Sequence, residues 1–140
     1  MNRHDQPCSR PREILIVDDT PVNLGLLAAL LRRESYCVRC ATSGEMALRS
    51  THFSHPDLIL LDVTMPDMHG YEVCRQLKAD SATAEIPVIF ISALDASSER
   101  DQAFAVGGVD YIAKPYCIQD VLSSVRKALG NLLAENKVAA

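Results

Sequence analysis

The stretch LILLDVTMPDMHG, residues 58–70, decides how the rest of the chain is read. It opens on four apolar residues and then places a carboxylate, Asp62. A short apolar run bounded by turn residues reads as a buried strand, over 58–62. Pro56-Asp57 before it and TMPDMHG after it supply those boundaries. Carrying an unpaired carboxylate into an apolar interior is strongly unfavourable. Asp62 must be neutralised, paired, or placed where the core opens to solvent, and which of these holds decides the function.

Outward from this strand, the same alternation repeats. EILIVDD (13–19) is an apolar strand ending in two acids. Thr20-Pro21 follows, an N-cap type and a proline at the first helical position. Leu24, Leu27, Leu30 and Leu31 then recur at helical spacing to about Ser35. YCVRCA (36–41) is a second strand. Thr42 and Glu45 have capping-box spacing and open a short helix through Ser50. Beyond the central strand, YEVCRQLKAD (71–80) is a helix with Val73, Cys74 and Leu77 on one side. IPVIFIS (86–92) is a fourth strand, and DASSERDQAFAVGG (95–108) a helix stopped by Gly107-Gly108. VDYIA (109–113) is the fifth strand, and the last helix runs from about Gln119 past Leu129.

Five strand–helix alternations imply parallel strands joined by right-handed helical crossovers. Strands covered on both faces read as continuous apolar runs, as three of these do. The expected fold is an α/β three-layer sandwich, a five-stranded parallel sheet with helices on both faces.

The 140 residues suit one domain, and a net charge of −4 disfavours direct binding to nucleic acid. The polar start MNRHDQPCSRPRE lacks the apolar core of a signal peptide, and residues 1–12 read as a disordered tail. With no apolar stretch long enough to span a bilayer, a cytoplasmic location is expected. Cys37 and Cys40 form a C-x-x-C, but in a strand residues three apart point to opposite faces, so they read as small packing residues. The four histidines, His4, His52, His55 and His69, show no ligand spacing and read as exposed loop residues.

In such a sheet, ligands bind beyond the carboxyl ends of the strands. Asp18 and Asp19 end the first strand, Asp62 the third, Ser92 the fourth, and Lys114 follows the fifth. Their common edge answers the question about Asp62: it stands at the floor of a shallow polar pocket. Crowded carboxylates raise one another's pKa values. A divalent cation relieves this, and Mg²⁺ takes a few carboxylates with waters and a phosphate oxygen. An aspartate in that setting can attack a phosphoryl group and form an acyl phosphate. A lysine and a hydroxyl can hold the remaining phosphoryl oxygens.

The motifs IVDD (16–19), LLDVTMPDMHG (60–70), VIFISA (88–93) and DYIAKPY (110–116), in this order, resemble the receiver domain of two-component response regulators. That resemblance covers about Glu13 to Leu129 and implies a flavodoxin-like, doubly wound fold. It implies that Asp62 is the phosphoacceptor, and that Asp18, Asp19, Asp62 and the Thr64 carbonyl hold Mg²⁺. Ser92 would move toward the phosphoryl group, Lys114 would pair with it, and Tyr111 would turn inward in the active state. The Lys114-Pro115 bond is expected to be cis. The donor would be a phosphohistidine on a sensor histidine kinase or histidine phosphotransfer protein.

The resemblance further implies a signalling switch rather than an enzyme of metabolism. Its readout would be an output domain or a homodimer formed through the fourth helix, fifth strand and last helix, with an exposed patch around Ala103, Tyr111 and Val121. Residues 13–130 would form the receiver and 131–140 a helical extension or linker. Two alternatives stand beside this: a phosphorelay or phosphate-sink receiver of a hybrid kinase, and a haloacid-dehalogenase-type phosphatase. The phosphatase needs a second acid two residues after the nucleophile, where this chain has Thr64. A nucleotide-binding module would need a glycine-rich loop after the first strand, where the chain reads DDTPVN.

Overall fold

The computed structural model describes residues 11–93 and 97–139, the stretch 131–139 by its backbone alone. Most of the expected tail, with His4 and Cys8, and the expected start of the fourth helix at Asp95 lie outside the described residues. In chain order the elements are β1 (Glu13–Val17), α1 (Pro21–Arg33), β2 (Cys37–Ala41), α2 (Gly44–Phe53) and β3 (Leu58–Asp62). Then come α3 (Gly70–Ala79), β4 (Val88–Ser92), α4 (Ser97–Ala105), β5 (Asp110–Ala113) and α5 (Ile118–Ala139).

The five strands form one parallel sheet in the order β2-β1-β3-β4-β5. Alternate residues along each strand feed two separate cores. Leu15, Val17, Ile59, Leu61, Val88 and Phe90 pack with Val73, Cys74 and Leu77 of α3 and Ala103 of α4. Ile14, Ile16, Leu58, Leu60, Ile89 and Ile91 pack with Leu24, Leu27 and Leu31 of α1 and Val121, Leu122 and Val125 of α5. β3 and β4 are buried along their whole length, which explains their unbroken apolar runs.

Several local expectations change. β1 ends at Val17, so Asp18 and Asp19 belong to the loop beyond it. Thr20 is the N-cap of α1, but its side chain makes no capping bond. The cap of α2 lies one residue later than the capping-box spacing suggested: Ser43 Oγ accepts from the Met46 amide at 3.1 Å, and the helix runs on to Phe53. Cys37 and Cys40 are exposed rather than packed, because β2 is the sheet's edge strand. His52, His55 and His69 are exposed, although His52 sits within α2.

The expected exposed patch is overturned. Ala103, Tyr111 and Val121 are 0%, 2% and 0% exposed, each turned into one of the two cores. Among the described residues, the large exposed apolar side chains on that side are Phe104 and Val109.

Candidate functional site

The carboxyl ends of β1 and β3 are adjacent in the sheet, and their acids meet there. Asp18 is held by two local bonds: its amide donates to the Ala41 carbonyl, extending the β1–β2 ladder, and its Oδ1 accepts the Thr20 amide at 2.9 Å. Asp62 is the last residue of β3, and its Oδ1 accepts the Thr64 amide at 3.3 Å. Asp19 projects from the loop into solvent. Oxygens of Asp18, Asp19 and Asp62 all lie within 4.8 Å of one another.

Lys114 arrives from the far side of the sheet. Its amide donates to the Ser92 carbonyl at 2.7 Å, which carries the β4–β5 ladder one step beyond the strands. The Lys114-Pro115 peptide is cis, as expected. Its ammonium stands 3.3 Å from Asp18 Oδ2 and 3.7 Å from Asp62 Oδ2. One cation thus bridges the two buried carboxylates.

Asp62 is only 7% exposed, so it stands deeper than a shallow pocket floor. Burial pushes its carboxyl above the usual range; Lys114 opposes this, and Asp18 and Asp19 reinforce it. Burial disfavours the Lys114 ammonium, but Asp62 and Asp18 together outweigh that and raise its pKa. Three hard oxygen donors with one open side, at Asp19, fit the demands of Mg²⁺, which keeps several waters when bound.

Of the residues singled out in the sequence, Asp18, Asp19, Asp62 and Lys114 come together, and Thr64 adjoins Asp62 through its amide. Ser92 ends β4, 1% exposed, on the strand beside Asp62. Tyr111 does not reach the edge. It lies within β5, paired in register with Phe90, and is already turned inward. Arg100 of α4 stacks 5.4 Å over its ring. Loading of the site therefore cannot cost Tyr111 much exposure. Asn23 and Tyr116 line the crevice with Asp18, Asp62 and Lys114 and were not anticipated. Tyr116 follows Lys114 by two residues and was the more readable of the pair.

Comparison with known proteins shows the family. A family profile described as "Response regulator receiver domain" matches residues 14–126. The response regulator PleD of Caulobacter vibrioides is 46% identical over 113 residues, covering 81% of this chain and 24% of that protein. A Vibrio cholerae protein named "Probable cyclic di-GMP phosphodiesterase" is 40% identical, with 84% of this chain and 26% of that protein covered. The crystal structure of the receiver domain of a signal transduction histidine kinase from Syntrophus aciditrophicus superposes with a TM-score of 0.80 at 34% identity. That match covers 86% of this chain and 91% of the other. This chain spans about a quarter of the two curated relatives. Nothing in these relatives supports a haloacid-dehalogenase-type phosphatase. The chain belongs to the receiver domains of two-component response regulators, which are phosphorylation-dependent signalling switches.

Proposed function

We propose that Asp62 accepts a phosphoryl group from a phosphohistidine of a sensor histidine kinase or histidine phosphotransfer protein. The observation that carries this reading is the meeting of three carboxylates within 4.8 Å beside the Lys114 ammonium. An Asp62 oxygen attacks phosphorus, the donor's P–N bond breaks, and the imidazole leaves. Asp18, Asp19, Asp62 and the Thr64 carbonyl would hold Mg²⁺, which when bound offsets the negative charge that gathers as the phosphoryl group passes. Lys114 has only to trade Asp62's oxygen for a phosphoryl oxygen, since it already stands 3.7 Å from that carboxylate. Ser92 supplies a hydroxyl on the adjacent strand and would move toward the phosphoryl group.

The chain promotes only its own phosphorylation and dephosphorylation in this reading, and works in the cytoplasm. Among the described residues, no helix is long and apolar enough to cross a membrane. Residues 13–130 form the receiver, and 131–140 a helical extension or linker. The switched surface is α4, β5 and α5, read by an output domain or a second copy. Similarity to PleD and to the phosphodiesterase favours an output domain. Similarity to the receiver of a histidine kinase favours a phosphorelay.

Incubation with acetyl phosphate and Mg²⁺, followed by intact mass, tests the reading. Uptake of one phosphoryl group, lost with chelator and in Asp62→Asn, is expected. Unchanged uptake in Asp62→Asn would overturn it.

A further inference from the structure

The loop from Val63 to His69 joins β3 to α3 and carries Thr64, whose amide faces Asp62. Both of its ends are held tightly. At the C-terminal end, the Gly70 amide donates to the Val63 carbonyl at 2.7 Å. At the N-terminal end, Thr64 is two residues from the strand. The middle of the loop has a different anchor. Asp67 reaches across to α2, where Oδ1 accepts the Gly44 amide at 3.0 Å and Oδ2 the Glu45 amide at 3.1 Å. With Ser43 taking the Met46 amide, the first three amides of α2 are all bonded, two of them by a residue from another loop. These bonds hold the Asp67 carboxyl below the usual range although the side chain is exposed. The approach is close enough that a Cβ on Gly44 would lie 2.8 Å from Met68 Cβ.

Resting on the proposed function, we infer that Asp67 is a positioning residue: by tying the 63–69 loop to the first turn of α2, it holds the Thr64 main chain against Asp62. The argument is one of connectivity. A loop fixed only at its ends has a free middle, and Thr64 lies between β3 and that middle. A carboxylate engaged by two amides at a helix N-terminus fixes both the distance and the direction of the segment that carries it. The acceptor is then oriented by a bond from its own loop, and the loop is oriented by α2. Preorganisation of this kind lowers the cost of reaching a reactive geometry.

Two variants separate this role from simple helix capping. Asp67→Ala removes the tether, and Ser43→Ala removes the neighbouring cap without touching the loop. Both should lower the melting temperature to a similar extent. Only Asp67→Ala should shift the Thr64 amide resonance in the Mg²⁺-free protein and slow labelling by acetyl phosphate roughly tenfold. Asp67→Asn, which keeps one acceptor oxygen, should recover part of that rate. An unmoved Thr64 amide in Asp67→Ala, or equal slowing by Ser43→Ala, would overturn the inference. If the wild-type chain takes up no phosphoryl group, the proposed function fails, while the Thr64 resonance still decides the role of Asp67.

Discussion

The Lys114 ammonium stands 3.7 Å from Asp62 Oδ2, although Asp62 ends β3 and Lys114 follows β5, with β4 between the two strands in the sheet. That contact is made by side chains alone and links Asp62 to the β5 side of the molecule. Replacing Lys114 by Met should leave Asp18 and Asp62 buried without their cation. We expect a loss of about 1–2 kcal/mol in chelator, below the full cost of breaking a buried pair because Lys114 is partly exposed. Urea unfolding measures it. Mg²⁺ should recover much of this loss, since it supplies the missing positive charge; an unchanged midpoint in chelator would refute the bridging role.

Asp62→Asn should melt higher than the wild type in chelator at neutral pH. Burial raises the folded-state pKa of Asp62, so the folded chain holds its proton more tightly than the unfolded chain. The penalty for ionising Asp62 is absent below the unfolded value and grows as pH rises through the window up to the folded value. The variant never carries it. The gap in melting temperature should therefore close as the buffer is acidified through that window, and a gap independent of pH would contradict the assignment.

Asp19→Ala should weaken Mg²⁺ binding, followed by NMR titration, while leaving the fold intact, because Asp19 is exposed at an open edge. Its removal also relieves one mutually repelling carboxylate of the three. The metal-free variant should be no less stable than the wild type.

Gly70→Ala tests the packing behind Asp62. A Cβ there would clash with the Asp62 carbonyl oxygen and lie 2.9 Å from Val63 Cα, both backbone atoms. Neither can rotate away, so a loss at the upper end of overpacking costs, about 3 kcal/mol, is expected in urea unfolding.

Beryllofluoride with Mg²⁺ should perturb amide resonances beyond the site, in α4, β5 and α5. The Tyr71 hydroxyl, which donates to the Glu99 carboxylate at 2.8 Å, joins α3 to α4 and should respond too. If α4 shifts, Phe104 is the large exposed apolar side chain it would carry. Changes confined to the pocket would mark a receiver that accepts phosphate without transmitting through this face.

The alternation of apolar runs and helical spacing made five strands, five helices and the shared edge of Asp18, Asp62, Ser92 and Lys114 readable in advance. These features depend on local periodicity and strand polarity. What escaped depends on strand order or on distant partners. That Cys37 and Cys40 are exposed is hidden in the sequence because nothing local says that β2 is an edge strand. The start of α2 is hidden in the local sequence because its cap combines Ser43 with Asp67, a residue from beyond the next strand. Tyr111 and its neighbours looked surface-bound because a single sequence does not tell which face of β5 meets α4.

The contact of Gly70 with the Asp62 peptide carries a mechanical consequence. The Asp62 backbone has Gly70 packed so closely behind it that there is no room for a methyl group. Bulk or charge added to the Asp62 side chain should therefore meet little give from β3 on the Gly70 side. On its open side the carboxylate faces Lys114, whose amide bond to the Ser92 carbonyl joins it to the ends of β4 and β5.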